Sequence, residues 1–294
     1  MPITASDVAA LRAATGAGMM DCKKALDEAG GDVDKAGELL RKKGIVKAAK
    51  RADKIASEGT VRVSANDQAA VVIEMNSETD FVSQNEDFKN LAALAEATIL
   101  KHQPADLAAA LALTVDGGET LADKISALVA KIGEKITLRR FALLKKTDSE
   151  AFGVYLHLGG KIGVIAVLSG TTDANLGRDI AMQAAASNPK YIERSEVPAE
   201  TLNKEKEVYV EQLRAQKKPE NIIENIVKGK LDKFYGEICL PEQAFIKDEE
   251  KTVAQYLNSV APGAKVKEFI RFELGEGMEK KACDFAGEVA AQLK

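Results

Sequence analysis

The feature that most constrains this chain is a strand-and-helix pattern that occurs twice. In the first copy, residues 60–63 alternate apolar and polar, Asn66-Asp67 marks a turn, and 69–75 is a nearly continuous apolar run. In the second, 153–157 reads as a strand, Gly159-Gly160 as a turn, and 162–168 as another apolar run. Each run leads through a Thr-Asp step toward a helix. Val71 falls on Val164 and Thr79 on Thr172, the same spacing of 93 in both pairs. The economical account is two related α+β subdomains with antiparallel strands, at 55–150 and at 151–195 with 234–275. Within the first, helical spacing recurs at 85–101, 105–112 and 120–132 before a strand at 136–144.

Helical pattern surrounds this pair. Residues 1–54 read as three short helices: the first capped by Thr4 or Ser6 and stopped at Gly16 and Gly18, the second carrying Met19, Met20, Cys22, Ala25 and Leu26. The third is capped by Asp32, with Val33, Ala36, Leu39 and Leu40 inward and Gly44 closing it. A unit this small is expected to be a recognition module, having too few residues to enclose a pocket. From 41 to 54 the chain has seven Lys/Arg and one acid, which reads either as a solvated linker or as a phosphate-binding stripe. Residues 196–233 interrupt the second subdomain with a helical hairpin, opened by Pro198 and turned at Lys217-Lys218-Pro219. Its second helix carries an apolar stripe of Ile222, Ile223, Ile226, Val227 and Leu231. Outside the stripes it is heavily charged, so it is expected either to project and self-associate or to fold flat onto its own core. A strand at 266–274 and a last helix near 280–293 close the chain.

The charge balance and the missing motifs narrow the chemistry. With 41 basic and 45 acidic side chains the net charge is −4, so the global positive field that drives non-specific nucleic-acid binding is absent. Cys22, Cys239 and Cys283 are odd in number and unpaired by spacing, which fits a reducing compartment and a cytoplasmic location rather than a disulfide framework. The first eighteen residues lack a secretory pattern, and no apolar run is long enough to span a membrane. His102 and His157 belong to no metalloprotease pair, and GxSxG is missing. Gly159-Gly160-Lys161 fails as a phosphate loop, because Tyr155 stands where its first Gly belongs and Ile162 where its Ser/Thr belongs. No catalytic residue, cofactor or metal of the chain's own is expected, and hence no enzyme.

Two segments are more specific. Residues 11–26, LRAATGAGMMDCKKAL, and 78–88, ETDFVSQNEDF, resemble the two signatures of the bacterial elongation factor Ts family. Further agreement lies in Arg139-Arg140-Phe141, Gly160-Lys161-Ile162-Gly163-Val164, Gly229-Lys230-Leu231 with Phe234-Tyr235, and Phe269-Ile270-Arg271-Phe272. The resemblance runs the full length in one order. Leu240-Pro241-Glu242-Gln243 departs from it, since the family more often has Leu before Glu-Gln and Pro after, and this bears on a local backbone path.

The resemblance implies a fold and a role. The fold would be a ubiquitin-associated-like three-helix domain at 1–54, the two core subdomains, a coiled-coil hairpin at 196–233 and a helical module at 276–294. The role would be exchange of guanine nucleotide on elongation factor Tu, bound in its GDP-loaded and nucleotide-free states. Thr79, Asp80, Phe81 and Val82 would enter the partner near its magnesium ion, with Met19, Met20 and His157 as further contacts. Periodicity alone makes Phe81 part of a core stripe with Phe88, Ala92 and Ala95, and makes Asp80 a helix cap; the motif context favours the partner surface. Met19 and Met20 read as part core and part surface, and His157 as either a contact or a satisfied structural histidine. The hairpin leaves open a homodimer or a 2:2 heterotetramer. Two alternatives stand beside exchange: a ribosome- or RNA-associated accessory protein, motivated by the basic run, and a scaffold that binds elongation factor Tu without speeding exchange.

Overall fold

The computed structural model of the protein describes residues 3–115 and 117–278. It is α+β, with N-terminal helices and antiparallel sheet, and it resolves into two compact units. Among the described residues, one comprises 3–62, 73–142 and 272–278, the other Val63–Val72 and Leu143–Arg271.

The first unit begins with three helices, α1 (Ala5–Thr15), α2 (Met19–Glu28) and α3 (Val33–Lys50). Thr4 caps α1 in a reciprocal box with Asp7, and Gly16 ends it at φ 67, in the left-handed region that glycine adopts without cost. Val8, Leu11, Cys22, Ala25, Leu26 and Ala36 form the core of the three. Two expectations fail here. Val33 is the first residue of α3, not an inward one, and remains 47% exposed. Gly44 does not end α3, which continues through it to Lys50. There it is buried against α7 (Leu121–Ile132), where a Cβ would lie at the ordinary contact distance of 3.5 Å from both Ala130 Cβ and the Ser126 carbonyl oxygen.

The segment 41–54 is therefore mostly helix, and four of its basic groups are committed. Arg41 pairs with Asp123 at 2.7 Å, Lys43 with Glu28 at 2.8 Å, Lys47 with Asp21 at 2.9 Å and Arg51 with Glu78 at 3.2 Å. Each of the four thus has a carboxylate neighbour, so part of the positive charge of the run is offset locally.

The first sheet has strand order β1-β2-β3, with β1 (Glu58–Ala65), β2 (Ala69–Ser77) and β3 (Ile136–Lys145). Asn66 closes the β1–β2 turn, its side-chain oxygen accepting from the amides of Gln68 and Ala69. All nine residues of the central β2 are buried. Between β2 and β3 lie α4 (Asp80–Gln84), α5 (Glu86–His102), α6 (Leu107–Ala112) and α7. Helix α5 buries Phe88, Leu91, Ala92, Ala95 and Ile99 along one face, and full burial of a side chain such as Phe88 is worth about 2 kcal/mol.

In the second unit β4 (Ala151–His157) and β5 (Ile162–Ser169) pair antiparallel, from Ala151 opposite Leu168 to His157 opposite Ile162. Strand β8 (Lys265–Glu273) flanks β5 on its other side. Helix α8 (Ala174–Ser187), capped by Asp173, crosses β4 so closely at Gly153 and Gly177 that no side chain fits at that point. A Cβ at Gly153 would fall 1.9 Å from the Gly177 carbonyl oxygen, and one at Gly177 would fall 2.6 Å from that of Phe152. Leu176, Ile180 and Ala184 of α8 join Val164, Ala166 and Leu168 of β5 in the core.

The inserted hairpin consists of α9 (Ala199–Ala215) and α10 (Glu220–Ile238), the latter running five residues past the expected end at 233. Its own core is small: Leu213, Ile223 and Val227 are buried, with Tyr209, Val210, Ile226 and Leu231 packed around them. Ile222 faces outward, contrary to its reading as part of the stripe. The sequence pattern offered no reading for 239–265, where the structure forms β6 (Ala244–Phe245), β7 (Asp248–Thr252) and α11 (Val253–Val260). Leu240, after which the motif departs from the family pattern, opens a single 3-10 turn with Pro241 at its start. The expected final helix near 280–293, Cys283, and nearly all of the module at 276–294 lie outside the described residues.

Two glycine substitutions should move stability in opposite directions. Gly153→Ala forces α8 away from β4 and is expected to cost about 3 kcal/mol. Gly229→Ala, in mid-α10 with open space around it, should gain about 0.5–1 kcal/mol by helix propensity. Chemical denaturation of both variants checks the pair.

Candidate functional site

The segment 79–82 leaves the end of β2, and its backbone is fixed from several directions. Ser77 Oγ donates to the Thr79 carbonyl oxygen at 2.9 Å. The Thr79 amide and hydroxyl both donate to the carboxylate of Glu134, at 3.1 and 2.9 Å. Glu78 in turn accepts from the Lys135 amide at 2.6 Å and pairs with Arg51. Val82 is buried, and Ser83 Oγ donates to the Asp80 carbonyl at 2.7 Å. The segment is thus not a loop but one helical turn, α4, entered from Thr79.

That turn points Phe81 into solvent. The ring is 85% exposed, the most exposed large apolar side chain among the described residues. Phe88, seven residues on, is fully buried, so the core stripe begins at 88 and excludes 81. Asp80 is exposed as well, and it does not cap α5; Asn85 does, accepting from the Asp87 amide. Phe81 is thus an exposed aromatic ring on a backbone that its neighbours hold in place.

Behind this segment β2 carries a charge with no exposure at all. The Glu74 carboxylate accepts from Arg139 Nη1 at 2.9 Å, Arg140 Nε at 2.6 Å, Asn76 Nδ2 at 3.1 Å and the Gly275 amide at 2.9 Å. Arg139 also donates to the Glu276 carbonyl at 2.5 Å, and Arg140 lies 4.1 Å over the Phe272 ring. Burial acts to raise the Glu74 pKa, but the Gly275 amide, the two guanidiniums and Asn76 outweigh it and hold the group below the ordinary carboxylate range. The network ties β2, β3 and the turn after β8 into one frame.

The remaining expected contacts stand elsewhere. Met19 and Met20 open α2 at 54% and 63% exposure. They are both outward rather than part core, and Cys22 supplies the burial. His157 ends β4 in the second unit, half-buried, its Nδ1 3.1 Å from Tyr155 Oη and the two rings stacked. Beyond it Leu158 sits at φ 50 with its side chain largely exposed. Sequence reasoning missed Glu134 and Glu74 as members of the frame. Arg139-Arg140 was visible only as a motif, because its carboxylate lies 65 and 66 residues away.

A family model described as Elongation factor TS matches residues 78–276. The chain belongs to the elongation factor Ts family. Its role is therefore in translation elongation, and the matched span begins at Glu78, one residue before the exposed turn. Among the described residues no helix is long and apolar enough to cross a membrane. Nor does any group of three or more His, Cys, Asp or Glu side chains among them stand ready to hold a metal ion.

Replacing Glu74 tests the frame. Glu74→Gln leaves two guanidiniums without their carboxylate and should cost about 3 kcal/mol at neutral pH. Because the folded-state pKa is depressed, the stabilisation is present above the ordinary carboxylate range and is lost as pH falls through the lower folded value. Wild-type stability should accordingly fall more steeply than that of Glu74→Gln between about pH 5 and pH 2, as read by urea denaturation at each pH.

Proposed function

We propose that this chain is a guanine-nucleotide exchange factor for elongation factor Tu, and that the turn carrying Asp80 and Phe81 is the part that acts on the partner's nucleotide site. The observation that carries the reading is the exposed Phe81 ring on a backbone fixed by Glu134, Ser77 and Ser83, within the span that matches the family.

The physics follows from what the partner must give up. Mg²⁺ requires near-octahedral coordination and bridges nucleotide phosphates to protein. A ring inserted among the segments that hold the ion's water ligands displaces them. Asp80 adds negative charge beside the ion or occupies a backbone amide that the resting site uses. With the ion's coordination disturbed, the phosphate charge is less neutralised and GDP leaves faster. A thousandfold acceleration corresponds to about 4 kcal/mol removed from the barrier. That energy comes from contacts that form as GDP leaves and are absent from the GDP-bound complex. Separately, by whatever factor this chain lowers the partner's equilibrium affinity for nucleotide, nucleotide lowers the partner's affinity for this chain. GTP in excess then displaces it.

In this reading the chain performs no covalent chemistry and needs no cofactor of its own. Met19, Met20 and His157 are auxiliary contacts, and Thr79 and Val82 shape the turn. The same reading keeps the division into a helical module at 1–54, core parts at 55–150 and at 151–195 with 234–275, a hairpin at 196–233 and a C-terminal module. It also keeps self-association through the hairpin as an assembly mode, and a cytoplasmic location. An RNA-associated role has less support, since Arg41, Lys43, Lys47 and Arg51 are engaged by carboxylates.

Stopped-flow release of fluorescent GDP from elongation factor Tu tests the proposal. Wild-type protein should accelerate release by about a hundredfold or more, and Asp80→Ala/Phe81→Ala should lose most of that while still binding the partner. No acceleration by the wild type would leave a scaffold without exchange activity.

A further inference from the structure

Thr79 occupies the N-cap position of α4, yet its hydroxyl caps nothing. A threonine there ordinarily accepts from an amide one turn ahead. Here the hydroxyl donates instead to Glu134 Oε1 at 2.9 Å, while the Thr79 amide donates to Glu134 Oε2 at 3.1 Å. Glu134 sits in the short connection between α7 and β3, directly after Gly133, which ends α7 at φ 85. The next residue, Lys135, gives its amide to Glu78 at 2.6 Å. Two turns far apart in sequence thus exchange side-chain-to-backbone bonds, and the carboxylate of each holds the main chain of the other.

Helix α4 depends on such outside support. Its five residues make a single turn, and one turn does not repay the cost of fixing its own dihedrals. Its conformation is set by what grips its ends. At the C-terminal end the Asn85 amide donates to the Val82 carbonyl at 3.0 Å and Val82 is buried. At the N-terminal end Glu134 binds both donors of the residue immediately before Asp80 and Phe81.

We propose that Glu134 is a positioning residue for exchange: by clamping Thr79 it presents Asp80 and Phe81 in the one conformation that reaches the partner's nucleotide site. This rests on the exchange reading above. Without the clamp the turn samples other conformations, and Phe81 must be ordered at the moment it is needed, so the limiting rate of GDP release falls. Binding through other surfaces does not require the turn to be ordered beforehand, so the concentration giving half-maximal acceleration should change little.

The test is stopped-flow GDP release from elongation factor Tu over a range of concentrations of the full chain, comparing wild type, Phe81→Ala, Glu134→Ala and Glu134→Gln. Glu134→Ala should lower the limiting rate by about tenfold or more, where misplacement of an acting group by an ångström can cost about a hundredfold. Its half-saturating concentration should remain within about threefold of wild type. Glu134→Gln should recover part of the rate, because its amide oxygen accepts one of the two Thr79 donors. Thr79→Val keeps the main-chain amide and removes only the hydroxyl. It should lose several-fold in limiting rate on its own, and it decides the matter should Glu134→Ala fail to fold. A wild-type limiting rate in Glu134→Ala or Thr79→Val, with Phe81→Ala inactive, overturns the role of Glu134 and leaves the exchange reading intact. A shift in half-saturation at unchanged limiting rate overturns it too, making Glu134 a binding residue. No acceleration by the wild type overturns the exchange reading itself.

Discussion

The first unit depends on a buried carboxylate. Glu74 stands in the middle of a strand buried along its whole length, and a lone charge there would be prohibitively costly. It is tolerable because Arg139, Arg140, Asn76 and the Gly275 amide all converge on it. Two consecutive side chains of β3, Arg139 and Arg140, both reach the one carboxylate on β2, and the Gly275 amide reaches it from the turn after β8. Losing any of these donors would leave the buried charge less compensated.

The exposed turn inherits that order. Ser77, Glu78 and Thr79 follow along the same stretch of chain: Ser77 holds the Thr79 carbonyl and Glu78 the Lys135 amide, while the amide and hydroxyl of Thr79 both donate to the Glu134 carboxylate. Only after these does the chain present Asp80 and Phe81. The order along the chain is buried charge, reciprocal clamp, exposed aromatic. A flexible loop bearing the same Phe would have to be ordered on binding and would lose part of its interaction energy to that ordering.

Much of the scaffold was legible in the sequence, because apolar runs of strand length, helical spacing and glycine stops are local signals. The doubled strand pattern, the N-terminal helices and the hairpin all follow from them. The misreadings share one cause, which is tertiary context overriding a local rule. Gly44 has the look of a terminator, yet it lies inside α3, on the face that is buried. Val33 is apolar but is the first residue of α3, directly after its cap Asp32, and stays half exposed. Strand β7 is Asp-Glu-Glu-Lys-Thr and carries no apolar alternation to reveal it. The site divides the same way. Phe81 was recognisable by its motif, whereas periodicity placed it in the core. Glu134 gave no signal at all, since its partner lies 55 residues away and a lone acidic residue after a helix-ending glycine is an ordinary surface residue.

In the exchange reading, Phe81 is exposed in the free protein and becomes enclosed by the partner. The most direct measurement is fluorine NMR of 4-fluorophenylalanine placed at position 81, with a second sample labelled at the buried Phe88 as reference. On adding GDP-bound elongation factor Tu, the resonance at 81 should shift and lose its response to a solvent relaxation agent, while the one at 88 keeps its position. A complex that forms with the resonance at 81 unmoved and still solvent-accessible would contradict the account.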